Sequence, residues 1–367
     1  MQTWSDKRCE WLALSMIEGM GNITFRNLLD RFETPGRIFQ ASGSDLLKTD
    51  GLRKESAQDI IRKKFSKDPE NELLKIRNLG IKVVTFHDSA YPALLKVIHD
   101  PPMILYMKGL EIPPGISFIG VVGSRNPTHY GTKASEEISQ GLARRGMGIV
   151  SGMAKGIDSA AHWGCLSGKG FTIAVLGTGL DRIYPASNKK LYREIVKRGV
   201  VISEFPVGTP PAPNNFPMRN RIISGLSRGI TVIEATKKSG SLITASLALD
   251  QGREVFAVPG SINSYKSTGC HFLIKQGARL IENSNDILDE LGLNFPFAPK
   301  KDTFIEEQPL PLDEVEKKVL GIVGEYPMHI DTIAEQVHLE PGIASGILMK
   351  MELKGIIHQL PGKMFVR

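Results

Sequence analysis

Cysteine is scarce in this sequence. Cys9, Cys165 and Cys270 stand far apart among 367 residues, and none belongs to a C-x-x-C pair. Such spacing offers neither a disulfide framework nor a zinc site, so no metal is expected. Long apolar runs are missing as well: none reaches the roughly 18 residues that span a bilayer. The opening residues, MQTWSDKRCEW, lack the apolar stretch of a signal peptide, and the expectation is a cytoplasmic protein with no membrane partner. There is no G-x-x-x-x-G-K-[ST], which excludes P-loop ATP hydrolysis. There is no G-x-G-x-x-G either. Residues 120–126 read GVVGSRN, and the following strand ends in Ser151-Gly152 rather than an acidic residue for a ribose hydroxyl. NAD and FAD are therefore excluded, and no cofactor is expected.

What remains is the composition of a soluble globular chain, 41% hydrophobic and 23% charged. The net charge of +7 is unevenly placed. Residues 1–114 hold 17 Lys/Arg against 15 Asp/Glu, and residues 115–292 hold 21 against 13. The stretch 293–312 has 2 against 3, and 313–367 has 6 against 8. The basic excess of the central segment points to a polyanionic partner.

The chain divides into four parts on its punctuation. Residues 1–78 read as short helices broken at Gly19, Gly21 and Gly51. Residues 79–292 open with strands at 82–86 and 104–107, which add to a sheet edge. Seven strands then alternate with helices, near 117–122, 147–151, 171–176, 200–204, 229–234, 254–258 and 279–282. That alternation predicts an α/β fold with a doubly wound, parallel, Rossmann-like sheet and sites at the carboxyl strand ends. Four prolines among charged residues make 293–312 a linker. In 313–367, three helices and two short strands spell a winged helix.

The candidate site follows from the turns after the strands. Gly123, Ser124 and Arg125 follow the first central strand, and a helix begins soon after. The glycine permits a tight turn and close backbone approach to a ligand, and Arg125 offers a planar five-donor cation for phosphate. Gly152, Lys155 and Gly156 follow the second strand, and Ser239, Gly240 and Ser241 follow the fifth. Such turns meet along one edge of a doubly wound sheet, where they suit an extended ligand. In the run after the fourth strand, Phe216 could stack a base, with Arg219, Asn220 and Arg221 beside neighbouring phosphates. Asp158 and His162 are four apart on a helix but lack a third metal ligand nearby, and a helix hydrogen bond explains them better.

Several runs are similar to the DNA-processing protein A family (DprA, also called Smf). They are VVGSRNPTHYG, SGMAKGIDSAAH, AVLGTGLDRIYP, SEFPVGTPPAPNNFPMRNRIISGLS, SGSLITASLALDQGREVFAVPG and GCHFLIKQGA, spread over 80–365. The N-terminal helices resemble that family's SAM-like domain. The resemblance implies a bacterial protein that binds single-stranded DNA and hands it to the recombinase RecA during natural transformation. It also implies a homodimer built on the Rossmann-like core. By position, Arg125 matches the family's phosphate-gripping arginine, Phe216 its aromatic beside the strand, and Arg219 and Arg221 its basic run. A lysine used by some members falls at Pro213.

The core also resembles nucleotide phosphoribohydrolases of the cytokinin-activating type. Their catalytic carboxylate would fall at Ile243 or Thr244, where no general acid exists, so a binding protein rather than an enzyme is expected. A major-groove reader is a third possibility, but Lys350 and Lys354 are offset by Glu352 in a segment of net −2.

Overall fold

A computed structural model describes residues 4, 6–293, 312–324 and 326–366. The expected linker at 293–312 therefore lies almost wholly outside the described residues. Two compact units are present, one carrying the N-terminal helices and the large sheet, the other the C-terminal winged helix.

The large sheet holds β1 (Lys82–Thr85), β2 (Ile104–Gly109), β3 (Phe118–Gly123), β4 (Gly148–Ser151), β5 (Thr172–Val175), β6 (Val200–Ser203), β7 (Gly229–Ile233), β8 (Glu254–Ala257) and β9 (Arg279–Leu280). Its order is β1-β2-β6-β5-β4-β3-β7-β8-β9. From β3 the chain winds outward through β4, β5 and β6, then returns to the other side of β3 at β7. The ladders from β6 across to β9 are parallel, while β1 and β2 pair antiparallel at the β6 edge. Strands β4 to β7 are buried along their whole length, as strands covered on both faces must be. This is the doubly wound sheet expected from the alternation of apolar runs, and its direction reverses at the β3/β7 boundary.

Apolar side chains fill both faces. On one, Val122, Val150, Ile173, Ile223, Leu226 and Val232 pack together. On the other, Leu12, Leu14, Leu28, Ile60 and Ile76 of the N-terminal helices join Ile104, Tyr106, Leu176 and Val201 in one core. Those short helices start where polar caps stop the chain. Asp6, Thr34, Ser42 and Asp68 each accept a hydrogen bond from a backbone N–H of the turn they open. A four-residue helix, Ala93–Lys96, was not legible in the sequence because one turn shows no period.

The winged helix comprises helices Glu314–Ile322, Ile330–Gln336 and Pro341–Leu353, with strands β10 (Met328–His329), β11 (His358–Leu360) and β12 (Met364–Val366) in the order β10-β12-β11. Its own core gathers Val319, Ile333, Leu348, Met351, Ile357 and Phe365. The two-residue β10 was not expected.

Candidate nucleic-acid interface

A cleft of about 470 Å³ opens at the carboxyl edge of the sheet, where the strand order reverses. Five strand-end segments line it: Gly123 and Arg125 after β3, Ala154 and Asp158 after β4, Tyr184 after β5, Pro213 to Asn220 after β6, and Ser239 to Thr244 after β7. A switch point leaves such a crevice because the flanking connections depart to opposite sides. The convergence expected from the turns is thus present.

The centre of the cleft is aromatic and cationic. Phe216 opens helix Asn215–Leu226, and its ring lies 5.6 Å from that of Tyr184. The Arg125 guanidinium carbon stands 5.6 Å from the Phe216 centroid, within cation–π reach. Arg125 is exposed, and among the described residues no carboxylate lies within ion-pair distance of it. In the same cleft, Ser239 caps helix Gly240–Asp250 by accepting from Ser241 N–H, and its hydroxyl lies 2.7 Å from that of Ser241. The first turn of this 11-residue helix is open to the cleft, and a Cβ on Gly240 would meet nothing within 4 Å. A helix N-terminus favours negative charge.

Gly123, Gly152 and Gly156 also serve packing, a part the turns in the sequence did not show. Gly123 is the last residue of β3. A Cβ there would strike the Ile233 carbonyl of β7 and come within 2.8 Å of Ile157 Cγ1. Gly156 has φ of 78°, and a Cβ would collide with the backbone of Ser124 and Arg125. Its glycine lets the β3 and β4 turns touch, and Ile157 N–H donates to Ser124 O at 3.1 Å. At Gly152 the space is filled by the Arg219 guanidinium. Ser124 accepts from Asn126 N–H at 3.2 Å, and Lys155 projects to solvent beside the cleft without lining it.

The two arginines of the basic run both have internal partners. Arg219 is 5% exposed: its Nη1 donates to Gly152 O at 2.8 Å and to Val175 O, and its Nε to Asn220 Oδ1 at 3.2 Å. Burial pulls its pKa down to about 10, against the opposing pull of Asp158. It ties the ends of β4 and β5 together. Arg221 is 9% exposed and forms a two-pronged pair with Glu204, at 2.9 and 2.6 Å, and a bond to Asp100 at 3.0 Å. Its charge is internally matched and lies outside the cleft lining.

Asp158 and His162 turn to separate partners. Asp158 accepts from Gly152 and Ala154 N–H at 3.1 and 3.3 Å. Burial raises its pKa, with Arg219 pulling the other way. His162 Nδ1 is 2.7 Å from Thr172 Oγ1, whose hydroxyl donates to Ile149 O at 3.0 Å, so the imidazole is the donor in that pair. Burial pushes His162 down to about 3, which keeps it neutral. The sequence reading missed Tyr184, although it sits in the quoted run AVLGTGLDRIYP. A loop aromatic carries no periodicity to mark it.

Comparison with known proteins agrees with this architecture. Residues 82–292 match the family of DNA recombination-mediator protein A, and 306–363 match the DprA winged helix domain. Protein Smf of Synechocystis sp. is 36% identical over 99% of both chains. Protein Smf of Escherichia coli is 40% identical over 81% of this chain and 80% of its own. The X-ray structure of DNA processing protein A from Streptococcus pneumoniae is 38% identical and superposes with a TM-score of 0.70, covering 79% of this chain and 99% of that one. The corresponding protein of Helicobacter pylori, whose structure addresses its single-stranded DNA binding mode, is 30% identical with a TM-score of 0.52, over 58% and 97%. With both family domains matched in order and an end-to-end relative at 36%, the chain belongs to the DprA/Smf family of DNA processing proteins.

Proposed function

We propose that the switch-point cleft binds single-stranded DNA, and that the protein delivers this strand to RecA during natural transformation. The observation that carries the reading is the unpaired Arg125 guanidinium, 5.6 Å from the Phe216 ring centroid in a cleft that an open helix N-terminus also lines. A cation, a stacking ring and backbone donors are what a flexible polyanion with accessible bases requires. The single-stranded DNA binding of the H. pylori relative supports the same ligand. Candidate contacts are Ser124, Arg125, Lys155, Phe216, Asn220 and Ser239 to Ser241. Gly123, Gly152, Gly156 and Arg219 shape the site.

The role is binding rather than catalysis. Among the described residues, Asp158 is the single carboxylate lining the cleft, and its backbone bonds and burial support a structural part for it. A homodimer is part of the proposal, supported by exposed Ile262, Tyr265, Phe272 and Leu280 near the open β9 edge. So is a cytoplasmic location.

A band-shift titration with oligo-dT, blunt duplex and a nucleoside monophosphate tests the ligand, with free base assayed in the last sample. Tight oligo-dT binding, weak duplex binding and no base release are expected. Equal affinity for duplex, or released base, overturns the reading.

A further inference from the structure

Lys7, Arg8 and Glu10 open the first helix with charges that the fold itself does not use. Among the described residues, none of these three side chains makes a hydrogen bond or an ion pair. Lys7 and Glu10 stand three apart, a spacing that shares one helix face, and still do not pair. All three line one cavity of about 430 Å³, where helices Lys7–Ser15 and Pro35–Ile38 meet the end of β1. Its place, between a helical module and a sheet, and its size are those of small-ligand sites. It shares no residue with the switch-point cleft.

The other charged groups around the cavity already have partners. Arg37 pairs with Glu33, and Asp88 accepts from Thr85 N–H at 2.7 Å. The free charge is therefore two cations against one carboxylate. Trp11, 7% exposed, and His87 add aromatic wall, with ring centroids 5.2 Å apart at 81°. Burial, aided by Lys96, pushes the His87 imidazole below its usual value, so near pH 7 it is an uncharged ring. The Glu10 carboxylate lies against Gly36, where a Cβ would come within 3.1 Å of both its oxygens.

These groups select a ligand by their chemistry. Free Lys and Arg suit phosphate, and aromatic rings suit a flat heterocycle. An ionised carboxylate only accepts, through two oxygens side by side. Among the common bases, guanine alone sets two donors side by side, its ring N1–H and its N2 amino group. Adenine and cytosine place an acceptor beside their amino group, and thymine flanks its one N–H with two acceptors.

We propose that this cavity binds a free guanine nucleotide, with phosphate at Lys7 and Arg8, the ring beside Trp11 and His87, and N1–H and N2 donating to Glu10. No glycine turn cradles the phosphates here, so side chains hold them. The site is separate from the strand cleft and does not depend on what that cleft binds.

Calorimetric titration of the full-length chain with guanosine, inosine and adenosine diphosphates and with inorganic phosphate tests it. Guanosine diphosphate should bind tightest. Inosine diphosphate, which lacks only the N2 amino group, should bind about tenfold more weakly, the effect of one hydrogen bond to a charged group. Adenosine diphosphate and phosphate should be weaker still. Glu10→Gln should abolish the preference for guanosine over inosine, while Arg8→Ala lowers both affinities and keeps their ratio. Arg125→Ala should change neither. On the wild-type chain, guanosine diphosphate should slow hydrogen exchange at residues 7–11, 34–37 and 85–88. No binding, equal affinity for guanosine and inosine diphosphates, or phosphate binding as tight as either overturns the proposal. So does protection confined to the strand-end turns of the cleft. Displacement by an equal concentration of a guanine-ended oligonucleotide would assign the cavity to a strand end and overturn the free nucleotide. A failed oligo-dT band shift leaves the proposal untouched, and its own failure leaves the cleft reading untouched.

Discussion

Arg125 and Arg221 are both arginines in basic, family-like runs, yet their surroundings assign them opposite work. Arg125 is exposed and unpaired, so Arg125→Ala removes a charge-assisted contact with little packing to lose. Oligo-dT affinity should fall for all sequences alike, and the log–log salt slope should flatten by roughly 0.7, the counterion release of one single-strand phosphate contact. Arg125→Lys should restore only part of the loss, because an ammonium lacks the bidentate fork. An unchanged salt slope with a lowered melting temperature would instead make Arg125 a structural residue. Arg221→Ala should behave in that second way. Glu204 would be left buried without its two-pronged partner, a loss of about 3–5 kcal/mol by analogy with other broken buried pairs. Denaturant unfolding measures it, and a loss under about 1 kcal/mol would contradict the buried pairing. The identity of these residues was plain in the sequence. Their fates were not, since the partners Asp100 and Glu204 lie 121 and 17 positions away.

Elements were legible wherever one period dominated a long enough stretch. Strands β4 to β7 are apolar along their length because helices cover both faces, so the sequence shows them as compact runs. Two-residue β10 gives no such run, and the four-residue helix at Ala93–Lys96 gives no turn-to-turn repeat. Ion pairs across elements were equally hidden. Glu316 on the first winged-helix element accepts from Lys354, from Asp313 N–H and from Lys350, and these hold its carboxyl down to about 2. A carboxyl depressed in the fold contributes stability above its unfolded value near 4.3, and that contribution disappears as pH falls towards 2. Hydrogen exchange of helix Glu314–Ile322 should therefore quicken over that window in the wild type. In Glu316→Gln it should start faster and change less with pH. Equal pH dependence in the two chains would remove Glu316 as the cause.

At the scale of the whole molecule, charge and cleft lie in the same segment. The basic excess falls within 115–292, and every residue lining the cleft lies there too. The C-terminal segment carries 6 basic against 8 acidic residues, and Lys350 and Lys354 are tied to Asp313 and Glu316. Truncation after Leu312 should then leave the affinity of one chain for a short oligo-dT close to that of the full chain. Phosphate contacts set that affinity and the salt slope, and the truncation removes few free cations. Titrating both chains against a strand of one binding site measures this. A large loss in the truncated chain would place DNA-binding surface on the winged helix.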